Sequence, residues 1–269
     1  MSLPLPLRPL GQTGIQVSPI GLGTVKFGRN QSVKYPDHFE LPTDQQIVDL
    51  LVTAQTLGIN TIDTAPAYGS SEQRLGQLLP GKRSDWVIIG KVGETFVEGI
   101  SHYQFDADFI EQSILQSLKN LNTDYLDVML IHSNGDDVHI IQHDNVFETL
   151  EKLKAQKLIR ALGMSTKTIA GGLLTIEQAD VAMITYNLNA PEEKPIIEAA
   201  YQQNKGILIK KALGSGHLTK ISEPDPLQAS MDFIFSTQGI GSVIVGTINP
   251  KHLQENVNAA ARALAHNIF

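Results

Sequence analysis

The chain has 269 residues with 28 acidic and 21 basic side chains, a formal charge of −7, so its composition does not favour nucleic acid or anionic lipid as a partner. This length allows one α/β barrel or two smaller domains, each with a substantial core. Cysteine is absent, which excludes disulfides, thiolate nucleophiles and cysteine-ligated zinc and is consistent with a reducing compartment.

The first sixty residues predict a hairpin, a strand, a loop and a helix. The N-terminus lacks the charged leader of a signal peptide, and no run of about 18 apolar residues occurs in the chain, so we expect a cytoplasmic protein that does not span a membrane. Short apolar pieces around glycine turns predict a β-hairpin over 10–18, followed by a strand over 19–24. Residues 25–43 are predicted to form a loop that lines a pocket. Apolar residues at helical spacing from about Asp44, with Gly58 at the C-terminal stop, predict the first helix.

Alternating strands and helices continue to the C-terminus. Helices are predicted over 106–121 and 145–156, among others. The eight predicted strands are 19–24, 59–63, 86–91, 126–132, 159–163, 181–185, 206–209 and 242–246. Strands this continuously apolar indicate a parallel sheet covered by helices, and eight such units close into a (β/α)8 TIM barrel. Because no composition break occurs, we expect residues 1–269 to form a single barrel domain.

Three predicted strands end in ionisable side chains, namely Asp63, Lys91 and His132. A lone aspartate at a strand end is most simply explained as a helix cap. An ionisable residue at the end of three strands instead favours an active site, because the reactive groups of such barrels lie at the C-terminal ends of strands. Adjacent strands are only about 5 Å apart, so these side chains can converge. Tyr68 follows on the loop after Asp63, above the same end of the barrel.

These four side chains suggest proton donation by a phenol. A phenol with a pKa near ~10 is a poor acid at neutral pH, and a nearby ammonium, here that of Lys91, lowers that pKa. Asp63 can keep Lys91 charged, and His132 can orient the reacting oxygen. Such a site reduces a carbonyl if a hydride is supplied, which implies a nicotinamide cofactor.

The same residues carry a resemblance to the aldo-keto reductase family that extends over nearly the whole chain. The resemblance rests on NTIDTAPAYG at 60–69, Lys91, LIH at 130–132, GLGT at 21–24, GMS at 163–165, YN at 186–187, KALGSG at 211–216, VGTINP at 245–250, and Leu253, Glu255 and Asn256. It implies a (β/α)8 barrel and NADP(H)-dependent interconversion of carbonyls and alcohols. It also implies a catalytic set formed by Asp63, Tyr68, Lys91 and His132.

The cofactor is expected above the last strands of the barrel. No G-x-G-x-x-G motif follows a strand, so a Rossmann unit is not supported. In barrels, phosphate groups bind at the loops after strands 7 and 8. In this chain those loops are residues 213–216 and 246–249. Either loop, if seen alone, could be an ordinary turn. With the resemblance, the expected cofactor-binding residues are Gly23, Thr24, Asp63, Ser165, Thr166, Lys211, Leu213, Gly214, Ser215, Gly216, Gly246, Thr247, Asn249, His252, Glu255 and Asn256.

Some positions depart from the family pattern. Thr166 stands where asparagine is common, and Met183 where glutamine commonly holds the nicotinamide carboxamide. Gly246 and His252 stand where many relatives place Lys and Arg against the 2′-phosphate. We therefore predict that NADP is bound with little preference over NAD.

Two other functions remain open from the sequence. A Schiff-base lyase could use Lys91 as its nucleophile, although a carboxylate beside that lysine favours the protonated amine. A non-catalytic nicotinamide-binding module could report redox state to a partner. His139 and His143 could share a metal, but their polar surroundings favour a solvated pair, and we predict no metal site. We expect a monomer that acts on a small carbonyl or sugar substrate.

Overall fold

The computed structural model describes residues 5–33, 38–214 and 223–266, and these ranges build a closed barrel of eight parallel strands. The barrel strands are β3 (Ile20–Gly23), β4 (Thr61–Asp63), β5 (Val87–Val92), β8 (Leu126–His132), β9 (Ile159–Ser165), β10 (Val181–Thr185), β11 (Gly206–Lys210) and β12 (Ile240–Val245). Each strand pairs with the next barrel strand in the chain, and β12 closes the ring on β3. The predicted (β/α)8 fold is confirmed.

Helices surround the barrel. They are α1 (Val25–Gly28), α2 (Asp44–Thr56), α3 (Ser71–Leu78), α4 (Ala107–Asn120), α5 (Asp137–His143), α6 (Val146–Ala155), α7 (Ile169–Gln178), α8 (Lys194–Gln202), α9 (Pro226–Phe235) and α10 (Pro250–His266). The predicted start of α2 is confirmed, because Thr43 and Gln46 cap it reciprocally through side-chain and backbone hydrogen bonds. Helix α4 begins after Asp106, whose carboxylate accepts a hydrogen bond from the backbone N–H of Phe109.

The predicted N-terminal hairpin is confirmed and lies against the N-terminal end of the barrel. Its strands are β1 (Arg8–Pro9) and β2 (Gln16–Val17), which pair antiparallel. Its buried side chains, Leu10, Ile15 and Val17, share one apolar cluster with alternate residues of five barrel strands. The Gln12 N–H donates to the Asn204 carbonyl just before β11, which fixes the hairpin at this end.

Two segments near the opposite end of the barrel contain elements that were not predicted from the sequence. Residues 25–43 were predicted as loop, but α1 forms at their start. The polar stretch after β5 forms an antiparallel hairpin of β6 (Glu94–Val97) and β7 (Ile100–Tyr103). Its turn residues Glu98 and Gly99 both have positive φ, which is the geometry of a type I′ turn. This β6–β7 hairpin is important because it brings polar side chains to the C-terminal end of the barrel.

Among the described residues, no helix is long and apolar enough to cross a membrane.

Candidate active site

A cleft of about 1070 Å³ opens at the C-terminal end of the barrel. Asp63, Tyr68, Lys91 and His132 all line it. Asp63 is the last residue of β4, His132 is the last residue of β8, and Lys91 is the penultimate residue of β5. Because these strands are neighbours in the barrel, groups that are distant in sequence reach one cleft.

The centre of this group is a buried ion pair between Lys91 and Asp63. Only 2 % of Lys91 and 4 % of Asp63 is exposed. The Lys91 Nζ donates to Asp63 Oδ1 and, at 3.3 Å, to the Thr64 carbonyl. A buried charge is costly without a partner, so the removal of one member of such a pair usually costs about 3–5 kcal/mol. The pair therefore holds an ammonium in the floor of the cleft.

Tyr68 lies beside that ammonium. Lys91 Nζ is 4.9 Å from the centroid of the Tyr68 ring. Tyr68 ends a short 3-10 turn, Pro66–Tyr68, that follows β4. The next residue, Gly69, has φ +62°, and a Cβ there would lie 2.1 Å from the Gly28 carbonyl oxygen. Glycine is thus required where the tyrosine loop packs on α1, and this contact places the backbone of the loop that carries Tyr68.

His132 faces Tyr68 on one side and a carboxylate on the other. The two rings are perpendicular, with centroids 6.3 Å apart. His132 Nδ1 lies 2.8 Å from Glu94 Oε2. Burial lowers the pKa of His132 below its usual value, and the Lys91 and Lys210 charges add to this, although Glu94 opposes it. Burial therefore favours the neutral form of the ring.

Glu94 lies on the β6–β7 hairpin and stays ionised. Burial raises the pKa of its carboxyl, but the contacts with His132 and Ser101 outweigh burial and lower the pKa to about 2. Ser101 Oγ donates to Glu94 Oε1 at 2.6 Å. Arg29 NH1 is 4.0 Å from the same oxygen, and the guanidinium stacks 3.4 Å from the centroid of the Phe96 ring. Neither Glu94 nor Arg29 was predicted from the sequence. The only sequence signal near Glu94 is the Glu98-Gly99 pair, because a dipeptide that ends in glycine can form a two-residue hairpin turn.

Lys210, the last residue of β11, also lines the cleft and was not predicted from the sequence. Its Nζ donates to Ser165 Oγ at 2.8 Å and to the Thr166 carbonyl at 2.5 Å. Burial, reinforced by Lys211, lowers its pKa to about 7. The signal that selected Lys91, an ionisable residue at the end of an apolar strand, could have found Lys210 as well.

Most residues predicted to contact a cofactor line the same cleft. They are Gly23, Thr24, Asp63, Ser165, Lys211, Leu213, Gly246, Thr247, His252, Glu255 and Asn256. Thr166, Gly214 and Asn249 are not among its lining residues. The side chain of Thr166 is fully buried, and Asn249 instead accepts a hydrogen bond from the Lys251 N–H in the first turn of α10. Ser215 and Gly216 lie outside the described residues.

His139 and His143 lie on α5, with ring centroids 4.7 Å apart. In the described part of the chain, no group of three or more His, Cys, Asp or Glu side chains is placed to hold a metal ion.

Comparison with known proteins identifies the family. The model of the aldo/keto reductase family matches residues 19–228. The chain belongs to this family. It is therefore an oxidoreductase, and aldo-keto reductases use a nicotinamide cofactor.

Relatives of this aldo-keto reductase match it over most of their length. It is 26% identical to the L-galactose dehydrogenase of Arabidopsis thaliana, over 94% of this chain and 87% of that protein. It is 25% identical to a D-threo-aldose 1-dehydrogenase of Pseudomonas, over 92% of this chain and 91% of that protein. A crystal structure described as an aldo-keto reductase from Pseudomonas aeruginosa is 50% identical, superposes with a TM-score of 0.88, and is covered over 96% of each chain.

The part of the cleft beyond Ser165 has groups that suit a nucleotide. Asn256 Oδ1 is buried and has no hydrogen-bond partner among the described residues, so it is an acceptor available to an amino group. Lys211, His252 and Arg262 bring cationic or protonatable groups to the same cleft. Arg262 was not predicted, and its guanidinium adds a fixed positive charge to the cleft. These groups fit an adenine and its anionic phosphates.

Proposed function

We propose that this aldo-keto reductase reduces aldehydes or ketones to alcohols, and in the reverse direction oxidises sugars or alcohols, with Tyr68 as general acid and base. The observation that carries the proposal is the buried Asp63–Lys91 pair, which holds an ammonium 4.9 Å from the Tyr68 ring in an open cleft. A charge that is already positioned before the reaction can lower the activation barrier substantially, because it stabilises the charge that develops in the transition state.

Each of the four residues has a distinct role in this mechanism. Asp63 keeps the Lys91 ammonium charged and fixed. That ammonium favours negative charge on the Tyr68 oxygen, so Tyr68 gives its proton to the carbonyl oxygen more readily. His132 binds and orients the substrate. The bound NAD(P)H supplies the hydride. In the oxidative direction, the Tyr68 oxygen takes the proton back.

The substrate is proposed to be a small polar carbonyl compound or a sugar. Ser32, Glu94, Ser101 and Tyr103 bring hydroxyl and carboxylate oxygens to the cleft around His132. The sugar-oxidising relatives from Arabidopsis and Pseudomonas support the same class. Turnover of aldoses with NAD(P), together with reduction of short aldehydes, tests the class directly.

NADP is the proposed cofactor, with NAD as an alternative. A protonatable His252 in the cleft favours a 2′-phosphate, but Gly246 offers no side chain to bind one. We expect the KM values for NADPH and NADH to differ by about tenfold or less, the equivalent of one modest contact. A thousandfold preference for either cofactor would contradict this proposal.

Substitution of Tyr68 by phenylalanine tests the mechanism. Tyr68→Phe removes the acid but leaves the residues proposed to hold the cofactor, so kcat should fall by roughly 10²- to 10⁴-fold. The dissociation constant of NADPH, measured by fluorescence, should change by about twofold at most. Tyr201→Phe is the matched control, because Tyr201 is exposed on α8 outside the cleft and its loss should leave kcat unchanged. A Tyr68→Phe enzyme that retains full turnover would remove Tyr68 from the mechanism.

The two alternative functions predict different results. A non-catalytic module would oxidise bound NADPH once at most and show no multiple turnover with any aldehyde or sugar. A Schiff-base lyase would be trapped on Lys91 by borohydride in the presence of substrate. The pairing of Lys91 with Asp63 disfavours that attack, because the amine must first lose its proton.

A further inference from the structure

The side chain of Arg29 holds the turn that carries Tyr68. Arg29 follows α1 and lines the cleft, and its side chain is only 11 % exposed. Its NH1 donates at 3.1 Å to the carbonyl oxygen of Ala67, the residue before Tyr68 in the 3-10 turn. The last carbonyl groups of a helical turn have no partner inside that turn, and Ala67 is fully buried. Arg29 therefore supplies the hydrogen bond that a buried carbonyl needs.

The same guanidinium also contacts the loop after α1 and the β6–β7 hairpin. Its Nε donates to the Gln31 carbonyl and its NH2 to the Ser32 carbonyl, each at 3.0 Å. Its central carbon lies 3.4 Å from the centroid of the Phe96 ring on β6. Three nitrogens thus donate to three backbone carbonyls while the flat face stacks on an aromatic ring. This arrangement suits a planar guanidinium and not the single nitrogen of a lysine.

Two further contacts reinforce the link between the tyrosine turn, the loop and the hairpin. Ser32 Oγ donates at 3.1 Å to the carbonyl of Gly99 in the hairpin turn. Gly69, the residue after Tyr68, packs closely on the carbonyl of Gly28. The backbone before Tyr68 is thus held by the Arg29 side chain, and the backbone after it is held by the neighbouring glycine.

Loss of the guanidinium would leave a buried carbonyl without its hydrogen bond next to Tyr68. The turn can find a new donor for the Ala67 carbonyl only by shifting, and such a shift moves Tyr68, the next residue. The phenol would then move relative to the Lys91 ammonium. Proton transfer is sensitive to this displacement, because a misplacement of about 1 Å can lower a rate about 10²-fold.

We propose that Arg29 is a positioning residue for Tyr68, whose planar guanidinium fastens the tyrosine turn to the β6–β7 hairpin and so keeps the phenol beside Lys91. The inference rests on the proposed function, because it takes Tyr68 as the group that transfers the proton. The contacts of Arg29 include none of the residues proposed to hold the cofactor, so NADPH binding should not depend on Arg29.

Turnover of Arg29→Ala, normalised to the number of NADPH-binding sites, tests this role. The normalisation corrects for any loss of folded protein. We expect kcat per site to fall by roughly 10- to 100-fold. The dissociation constant of NADPH should change by about twofold at most. A kcat per site equal to that of the wild type would overturn the proposal.

Chemical rescue tests the need for a planar group. Guanidinium chloride at millimolar, non-denaturing concentration can occupy the space left in Arg29→Ala and should restore kcat several-fold, whereas ammonium chloride at equal ionic strength should not. Arg29→Lys keeps the charge, but its single nitrogen cannot reach three carbonyls, so its kcat should stay close to that of Arg29→Ala. Full activity of Arg29→Lys, equal rescue by both cations, or no rescue by guanidinium would overturn the proposal.

Arg74→Ala is the matched control. Arg74 also donates to backbone carbonyls, those of Phe27 and Pro42, each at 2.6 Å, and it pairs with Asp44. It is not among the described residues that line the cleft. Its loss should lower stability but leave kcat per site unchanged. If Arg74→Ala lowers kcat per site as far as Arg29→Ala does, general loosening around α1 explains both losses and the proposal fails.

A double variant shows whether Arg29 acts through Tyr68. If it does, Arg29→Ala combined with Tyr68→Phe should be about as slow as Tyr68→Phe alone, because the positioned hydroxyl is already absent. Losses that multiply would show that Arg29 acts independently of Tyr68 and would overturn the inference while the proposed function stands. Full turnover of Tyr68→Phe would instead overturn the proposed mechanism and this inference with it.

Discussion

Lys210 is the residue for which burial has the clearest consequence for stability. Burial lowers its pKa to about 7 in the folded protein, whereas a lysine in the unfolded chain titrates near ~10.4. Between these two values the unfolded chain binds more protons than the folded one, so the free energy of unfolding rises with pH. Below pH 7 both states are protonated and this contribution is constant.

Comparison with Lys210→Met removes the pH dependence of the titrating groups that do not interact with Lys210, because those groups contribute equally to both proteins. The stability of the wild type minus that of Lys210→Met should increase from pH 7 to pH 9 by up to about 1.4 kcal/mol per pH unit. Urea unfolding at several pH values, followed by the fluorescence of the single tryptophan, Trp86, gives this difference. A difference that does not change with pH would show that Lys210 stays protonated in the fold.

The sequence predicted the strand-end residues of the site but not their supporting contacts. Asp63, Lys91 and His132 stand out because each ends an apolar strand. Lys210 follows the same rule and was missed because the predicted strand ended one residue earlier. Glu94 could not be found this way, since its role depends on the fold of a hairpin that brings it back to His132.

At the scale of single elements, the strands were predictable because each is a continuous apolar run between helices. The β6–β7 hairpin was missed because Glu94 to Tyr103 mixes polar and apolar residues, as a partly exposed two-stranded ribbon does. The α1 helix was also missed. It is a single turn, and no periodic pattern exists over four residues.

The contact between β9 and β10 depends on a glycine. A Cβ on Gly163 would lie 1.7 Å from the Val181 carbonyl oxygen, which is backbone and cannot move without parting the strands. Gly163→Ala should therefore destabilise the protein by about 2–3 kcal/mol or more, measured by urea unfolding.

Gly90→Ala on β5 is the matched control. A Cβ there would meet Met129 Cε at 3.0 Å, the flexible end of a side chain that can turn away. We expect Gly90→Ala to cost less than about 1 kcal/mol. Equal losses in the two variants would show that strand glycines are required for some reason other than the approach of β9 to β10.

At the scale of the whole molecule, the N-terminal hairpin packs against barrel strands that lie far along the chain. Leu10 is fully buried, and the added Cβ at Gly206, the first residue of β11, would lie 2.7 Å from its side chain. Because of such contacts with residues far along the chain, we propose that the chain forms one cooperative domain. The absence of a break in composition along the sequence suggested the same. We propose that this domain is a monomer, which light scattering can test.

Leu10→Ala tests the single-domain proposal. Truncation of a fully buried leucine costs about 2–5 kcal/mol of unfolding free energy. In one cooperative unit, every probe of unfolding reports that same loss. Trp86 lies immediately before β5, far from Leu10 in sequence, and is 1 % exposed. We therefore expect the urea midpoints from Trp86 fluorescence and from far-ultraviolet circular dichroism to fall together in Leu10→Ala.

Leu7→Ala, which truncates a 48 % exposed leucine in the same segment, should leave both midpoints nearly unchanged. A Leu10→Ala protein in which the Trp86 midpoint stays at its wild-type value would show that the hairpin unfolds separately from the barrel.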